Sequence, residues 1–263
     1  MLVDSHCHLD YPGLAEDEAG VVARAHGAGV GGMLAIATRL SAFDRVLGVA
    51  ERHAGIWCTV GVHPHEAGKE GLDEPGPLLR WTGHPKVVGI GESGLDYYYD
   101  FAPRERQQAS FRAHIAAARQ TGLPIVIHTR DADDDMAALL EAEMRAGRFG
   151  GVVHCFSSGR ALAERAVAIG LHLGIGGILT FKRSDELRAI VADMPRERLL
   201  LETDSPYLAP VPKRGKTNEP AYVAFVAQVL AEALGTDTAG VARLTTENFF
   251  RLFTKAEALE MAA

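Results

Sequence analysis

The feature that most constrains this chain is a regular alternation of short apolar runs with longer helical stretches, repeated about eight times between Gly and Pro punctuation. The apolar runs predict strands over 2–6, 33–37, 56–62, 87–90, 124–127, 151–153, 171–173 and 199–201. Between and after them the spacing predicts helices, the clearest over 16–28, 103–121, 159–169, 220–234 and 239–250. Gly29 and Gly122 are suited to stop two of them, and Pro103 suits a first turn. About eight such units in 263 residues predict a (β/α)8 TIM barrel. A doubly wound open sheet is the alternative. It fits less well, because polar residues with site chemistry follow strands from one end of the chain to the other, and only a closed ring sets the first and eighth strands side by side. No Ser/Pro tract, low-complexity segment or charge run divides the chain, so residues 1–263 are expected to form a single barrel domain.

Bulk properties exclude several classes. The apolar share of 47% and charged share of 23% suit a globular protein with a sizeable core. No apolar run has the length of a membrane-spanning helix, and the N-terminus lacks the pattern of a secretory signal. Cys7, Cys58 and Cys155 are scattered and odd in number, which suggests no disulfide framework and a reducing cytoplasm. A net charge of −7 argues against a surface that coats nucleic acid without selectivity. The oligomeric state stays open, with a monomer as the expectation.

The chemistry lies at the C-terminal ends of the expected strands, where barrels carry their sites. The first strand runs into His6-x-His8, and alternation along a strand puts both imidazoles on one face. The third offers His63, the fourth Glu92, the fifth His128, the sixth His154 and the eighth Asp204. Imidazoles and carboxylates are ligands for Zn²⁺, Mn²⁺ or Mg²⁺. Six of these seven residues suffice for two divalent ions, and a carboxylate such as Glu92 can bridge them through its two oxygens. Two adjacent ions can activate a water and stabilise both oxygens of a displaced ester.

Cations collect after the same strands: Arg130 after the fifth, Lys182 and Arg183 after the seventh, and Lys213, Arg214 and Lys216 after the eighth. In an acidic protein they favour a phosphorylated substrate. Tyr97, Tyr98, Tyr99 and Phe101 follow Glu92, and Tyr207 follows Asp204. They either stack an unpaired base or cover the barrel mouth. Asp4 and Asp96 read as turn or cap residues. Glu202 reads as a partner of a ligand or a structural ion pair.

These residues sit in motifs that resemble the TatD family of metal-dependent hydrolases: His6-x-His8, Gly61-Val-His-Pro-His65, Gly91-Glu-Ser-Gly-Leu-Asp96, His128-Thr-Arg130, His154-Cys-Phe156 and Leu201-Glu-Thr-Asp-Ser-Pro-Tyr-Leu-Ala-Pro210, continuing to Arg214-Gly-Lys-x-Asn218-Glu219-Pro220. The resemblance spans nearly the whole chain. One departure is Ser93, where the family more often has an apolar residue. The resemblance implies a divalent-metal deoxyribonuclease, a 3′→5′ exonuclease on DNA; whether RNA is a substrate too stays open. It implies two metal ions, one held by His6, His8, Glu92 and Asp204, the other by Glu92, His128 and His154. Asp204 would accept the proton of the attacking water and Glu92 would bridge, while His63 would hydrogen-bond a phosphate oxygen, ligate a metal or orient a ligand. Arg130, Lys213 and Arg214 are the remaining candidates for substrate contact. The alternative is an amide or ester hydrolase with the same metals, including deacylation of aminoacyl-tRNA.

Overall fold

The computed structural model describes residues 1–256, so residues 257–263 of the expected domain lie outside the described part. Eight parallel strands form one sheet in sequence order: β1 (Leu2–Cys7), β2 (Val30–Ala35), β3 (Ile56–Val60), β4 (Val87–Asp96), β5 (Ile125–Arg130), β6 (Gly151–Val153), β7 (His172–Ile175) and β8 (Leu199–Leu201). Among the described residues ten α-helices accompany them: α1 (Glu18–Gly27), α2 (Phe43–Arg52), α3 (Ala67–Glu70), α4 (Gly76–Leu79), α5 (Arg104–Thr121), α6 (Asp133–Ala146), α7 (Arg160–Ala168), α8 (Asp185–Asp193), α9 (Val223–Leu234) and α10 (Thr238–Leu252). The expected barrel is therefore the observed one. Among the described residues no helix is long and apolar enough to cross a membrane.

The ring closes between β1 and β8 through a parallel bridge at Cys7 and Ser205. His8 N–H donates to Ser205 O at 2.8 Å and Asp204 N–H to His6 O at 2.9 Å. Asp4, read from sequence as a turn or cap, lies inside β1 and latches this seam. Its carboxyl accepts from Thr203 N–H at 2.9 Å and His6 N–H at 3.2 Å, and meets the Thr203 hydroxyl at 2.6 Å. Burial pushes the Asp4 carboxyl up to about 8 despite these bonds, so near neutral pH it keeps its proton.

Two apolar clusters account for the packing. The larger joins the outer faces of the strands to the helices. The smaller takes Val3, Leu34, Trp57, Val88, Val126, Val152 and Leu200 from seven strands and joins them to Phe249 and Phe253 of the α10 region, filling the barrel axis. Val3, Trp57, Val88 and Val126 come from the N-terminal halves of their strands, Val152 and Leu200 from the middle of theirs, and Leu34 from near the end of β2. The axis below the site is therefore dry and packed, and the polar strand ends gather at the other mouth.

The fourth strand departs from expectation in a way that matters for the site. Its apolar run stops at Ile90, but pairing with β5 continues to Asp96, opposite Arg130. Between Ile90 and Ser93 the register slips: three residues on β4 span two on β5, Ile125 to Ile127. This is a bulge, and a bulge re-aims a side chain. Here it turns Glu92 into the mouth. Gly91, at φ 112°, supplies the backbone freedom. Gly61, just past the end of β3, is required too, because a Cβ there would collide with the Gly91 backbone.

Candidate metal centre

Strand geometry brings the histidines and carboxylates together. His6, at the end of β1, and His8, just beyond it, present their Nε2 atoms 3.3 Å apart. Cys7 between them points away and its thiol reaches Leu34 O at 3.5 Å. Glu92 Oε2 lies 3.5 Å from His6 Nε2 and 3.9 Å from His8 Nε2. Asp204 Oδ1 lies 3.6 Å and 3.5 Å from the same two atoms. Asp204 holds its place in the left-handed region, at φ 56°, a conformation costly for a non-glycine residue and typical of functional sites. His6, His8 and Glu92 lie close enough together to share one ion, with Asp204 beside the two histidines. Ligands about 2.0–2.1 Å from a tetrahedral centre stand about 3.3 Å apart.

The other oxygen of Glu92 serves a second group. Oε1 is 2.7 Å from His154 Nε2, 2.9 Å from His128 Nδ1 and 3.4 Å from His63 Nε2, and His128 Nδ1 is 3.3 Å from His154 Nε2. The two oxygens of one carboxylate thus face two nitrogen-rich groups. His6 and His154, one from each group, stack with ring centroids 3.9 Å apart.

A ring of partners fixes these imidazoles. Asp96 Oδ2 accepts from His128 Nε2 at 3.1 Å and from His65 Nε2 at 2.7 Å. With Nε2 carrying the proton, the His128 Nδ1 lone pair faces Glu92 and His154. The Oδ1 of Asp96 caps the N–H groups of Tyr98 and Tyr99. Asp96 is therefore both the expected turn residue and an orienting residue of the site. Glu202 lies buried beneath His154, with Oε1 3.5 Å from Nδ1 and accepting the Cys155 N–H at 2.5 Å. Carboxylate–histidine pairs of this kind set the tautomer and raise the basicity of a metal ligand.

The charges are mutually compensated. Burial would raise the Glu92 carboxyl, but the charge of His154 and the close approach of the His63 and His128 rings outweigh it and hold it well below the usual range. Asp204 is likewise lowered, with His8 overcoming burial. Against burial, Asp204 raises His8, Asp96 and Glu92 raise His128, and Glu92 and Glu202 raise His154 well above its ordinary value. His63 is different. Burial outweighs Glu92 and depresses it to about 4, so it is neutral near neutral pH. Its Nδ1 accepts the His65 N–H at 3.1 Å, so the remaining proton sits on Nε2 as a donor facing the mouth. Ionised carboxylates and imidazole lone pairs converging with no lysine or arginine among them form a donor set that fits divalent cations.

The mouth is a cavity of about 860 Å³. Of the cations named from sequence, Arg130 lines it, stacked at 4.1 Å over the Tyr98 ring and 4.7 Å over that of Tyr99. Lys213 and Arg214 do not line it: Lys213 Nζ lies 5.1 Å over Tyr222 and the Arg214 guanidinium 3.9 Å over Phe181. Arg39 and Arg45 line it instead. The sequence reading also missed His65, although His63-x-His65 repeats the spacing of His6-x-His8.

Together the barrel and this centre define a metal-dependent hydrolase. Residues 3–254 match the family described as TatD related DNase, and the chain belongs to that family. It is 41% identical to the uncharacterized metal-dependent hydrolase YcfH of Escherichia coli K12, over 96% of this chain and 95% of that one. It is 37% identical to the 3′-5′ ssDNA/RNA exonuclease TatD of Enterobacter lignolyticus, over 96% of this chain and 98% of that one. The crystal structure of YjjV, a TatD homologue of E. coli K12, superposes with a TM-score of 0.89 at 34% identity, covering 96% of this chain and 98% of that one.

Proposed function

We propose that this protein is a 3′→5′ exonuclease that hydrolyses phosphodiester bonds at the ends of single-stranded DNA, and of RNA as well, with two divalent ions. The observation that carries this reading is the division of Glu92, whose Oε2 faces His6 and His8 while Oε1 faces His128 and His154. A bridging carboxylate requires that arrangement. His6, His8, Glu92 and Asp204 would hold one ion, and Glu92, His128 and His154 the other, as Zn²⁺, Mn²⁺ or Mg²⁺. When bound, the ions supply Lewis acidity and a lowered pKa for water.

The chain's own residues do the rest. Asp204, ionised and 14% exposed at the edge of the mouth, accepts the proton of the attacking water. His63 donates its Nε2 proton to a phosphate oxygen. Arg130 and, on the opposite wall, Arg39 and Arg45 attract the anionic strand. The polarity and the single-stranded substrate are supported by the name of the Enterobacter relative. Three free cysteines support a reducing, cytoplasmic setting.

The test is to strip the protein of metal, add end-labelled single-stranded DNA, and restore Mg²⁺, Mn²⁺ or Zn²⁺ separately, with Glu92→Gln as control. Stepwise shortening from the 3′ end by the wild type, lost by at least about a thousand-fold in the variant, is the expected outcome. Full metal content with intact DNA would discard the nuclease reading in favour of amide or ester hydrolysis.

A further inference from the structure

Every large hydrophobic side chain strongly exposed among the described residues lies in the loop after β4 or the loop after β8: Tyr98, Tyr99 and Phe101 in the first, Tyr207 and Val211 in the second. Exposed aromatic surface gathered at a cavity marks a binding surface. In a ring of eight strands in sequence order, closed between β1 and β8, the ends of β4 and β8 stand on opposite sides of the mouth. Glu92 on β4, Tyr99, Phe101 and Tyr207 all line the same cavity.

Both loops are held rigid by a buried amide. Gln107, 1% exposed, donates through Nε2 to Asp96 O at 3.0 Å and Ala102 O at 2.9 Å, so it clamps both ends of the Tyr97–Phe101 loop. Asn218, fully buried, donates through Nδ2 to Thr203 O at 2.9 Å and Tyr207 O at 2.6 Å. The rings are thus displayed rather than collapsed. Tyr99 and Phe101 stack in parallel, 5.3 Å apart at 11°, with Arg130 alongside. Tyr207 stands edge-on to His8 at 6.4 Å and is 53% exposed. Presenting aromatic faces at no conformational cost is what a stacking platform requires.

We propose that these are two nucleobase platforms, Tyr99 with Phe101 on one side and Tyr207 on the other, which stack the two bases flanking the scissile phosphate. This rests on the exonuclease reading of the same centre. A phosphodiester seated at Glu92 directs its two nucleosides to opposite walls, and each wall offers an aromatic side chain, one beside an arginine and the other beside a candidate ligand. Stacking on both walls demands that the last two bases be unpaired, so a duplex end is a substrate only when frayed.

The test is steady-state kinetics of the metal-loaded enzyme on a single-stranded oligonucleotide, unmodified or abasic at the terminal or penultimate position. Tyr207→Leu and the double variant Tyr99→Leu/Phe101→Leu are compared with the wild type. For the wild type each abasic site raises KM by about ten-fold. Each variant raises KM on the unmodified strand to a similar extent and abolishes the penalty of one abasic position, a different position for each variant. Tyr207→Phe and Phe101→Tyr retain wild-type KM, which separates stacking from a folding defect. If the wild type degrades the strands while abasic sites and platform variants leave KM unchanged, the platforms are refuted and the exonuclease stands. If the wild type leaves every strand intact, both fall.

Discussion

His114 offers a measurement in which the structure fixes sign and size. It lies on α5, fully buried, with Nδ1 donating to Ser110 O at 2.7 Å and Nε2 accepting the Val62 N–H at 2.9 Å. Both nitrogens are committed, so the neutral tautomer is the only one that fits. Burial depresses this group to about 4, from an ordinary value of 6.5. Because the folded state holds its proton less tightly than the unfolded chain, the penalty is absent above 6.5, grows as pH falls, and is complete below about 4. The full gap corresponds to about 3 kcal/mol, of which about 2 kcal/mol develops between pH 7 and pH 5. His114→Gln keeps an acceptor for Val62 and removes the titration. Urea unfolding of the metal-stripped proteins at the two pH values measures it. The wild type is expected to lose about 2 kcal/mol more than the variant on acidification. His172, also buried and depressed to about 4, is present in both proteins and cancels. Parallel losses would refute the assignment of His114 as a neutral strut.

Two further outcomes concern the centre. Asp96→Asn keeps a side-chain oxygen but weakens the carboxylate that holds His128 and His65; metal titration is expected to show about ten- to hundred-fold weaker binding at one ion and little change at the other, and two unaltered affinities would remove Asp96 from the site. Because carboxylates raise His8, His128 and His154, metal loading near neutral pH should displace about one proton or more, and affinity should fall as pH is lowered. Calorimetry in buffers of different ionisation enthalpy reads that release directly, and a buffer-independent heat would contradict it.

The sequence displayed the barrel because parallel strands buried on both faces appear as plain apolar runs, and because its ligand-type residues stand where those runs stop. His6, His8, His63, Glu92, His128, His154 and Asp204 were all visible this way, and the fold brings all seven together. What escaped notice depends on tertiary packing. The bulge at Gly91 and Glu92 has no periodicity, so β4 seemed to end six residues early, at Ile90 rather than Asp96. With the strand shortened, Asp96 passed for a turn residue and its hold on His65 and His128 was hidden. Lys213 and Arg214 follow β8 as closely as Asp204 suggests, yet aromatic rings at Tyr222 and Phe181 draw them off the mouth. Proximity in sequence constrains a strand end to within a residue or two, but a loop cation goes wherever a ring or carboxylate offers the better contact.

The seam between β1 and β8 has a consequence for biosynthesis. His6 and His8 belong to β1 and the residue just beyond it, while Asp204 and the Thr203 that latches Asp4 follow β8, the last strand among the described residues. The candidate centre therefore cannot assemble on a nascent chain until that strand has left the ribosome, however early the other units fold. An incomplete chain carries the histidines without the carboxylate that completes their cage. Any hydrolytic competence of this protein is thus withheld until β8 and the residues that follow it have been made, a delay imposed by chain order alone.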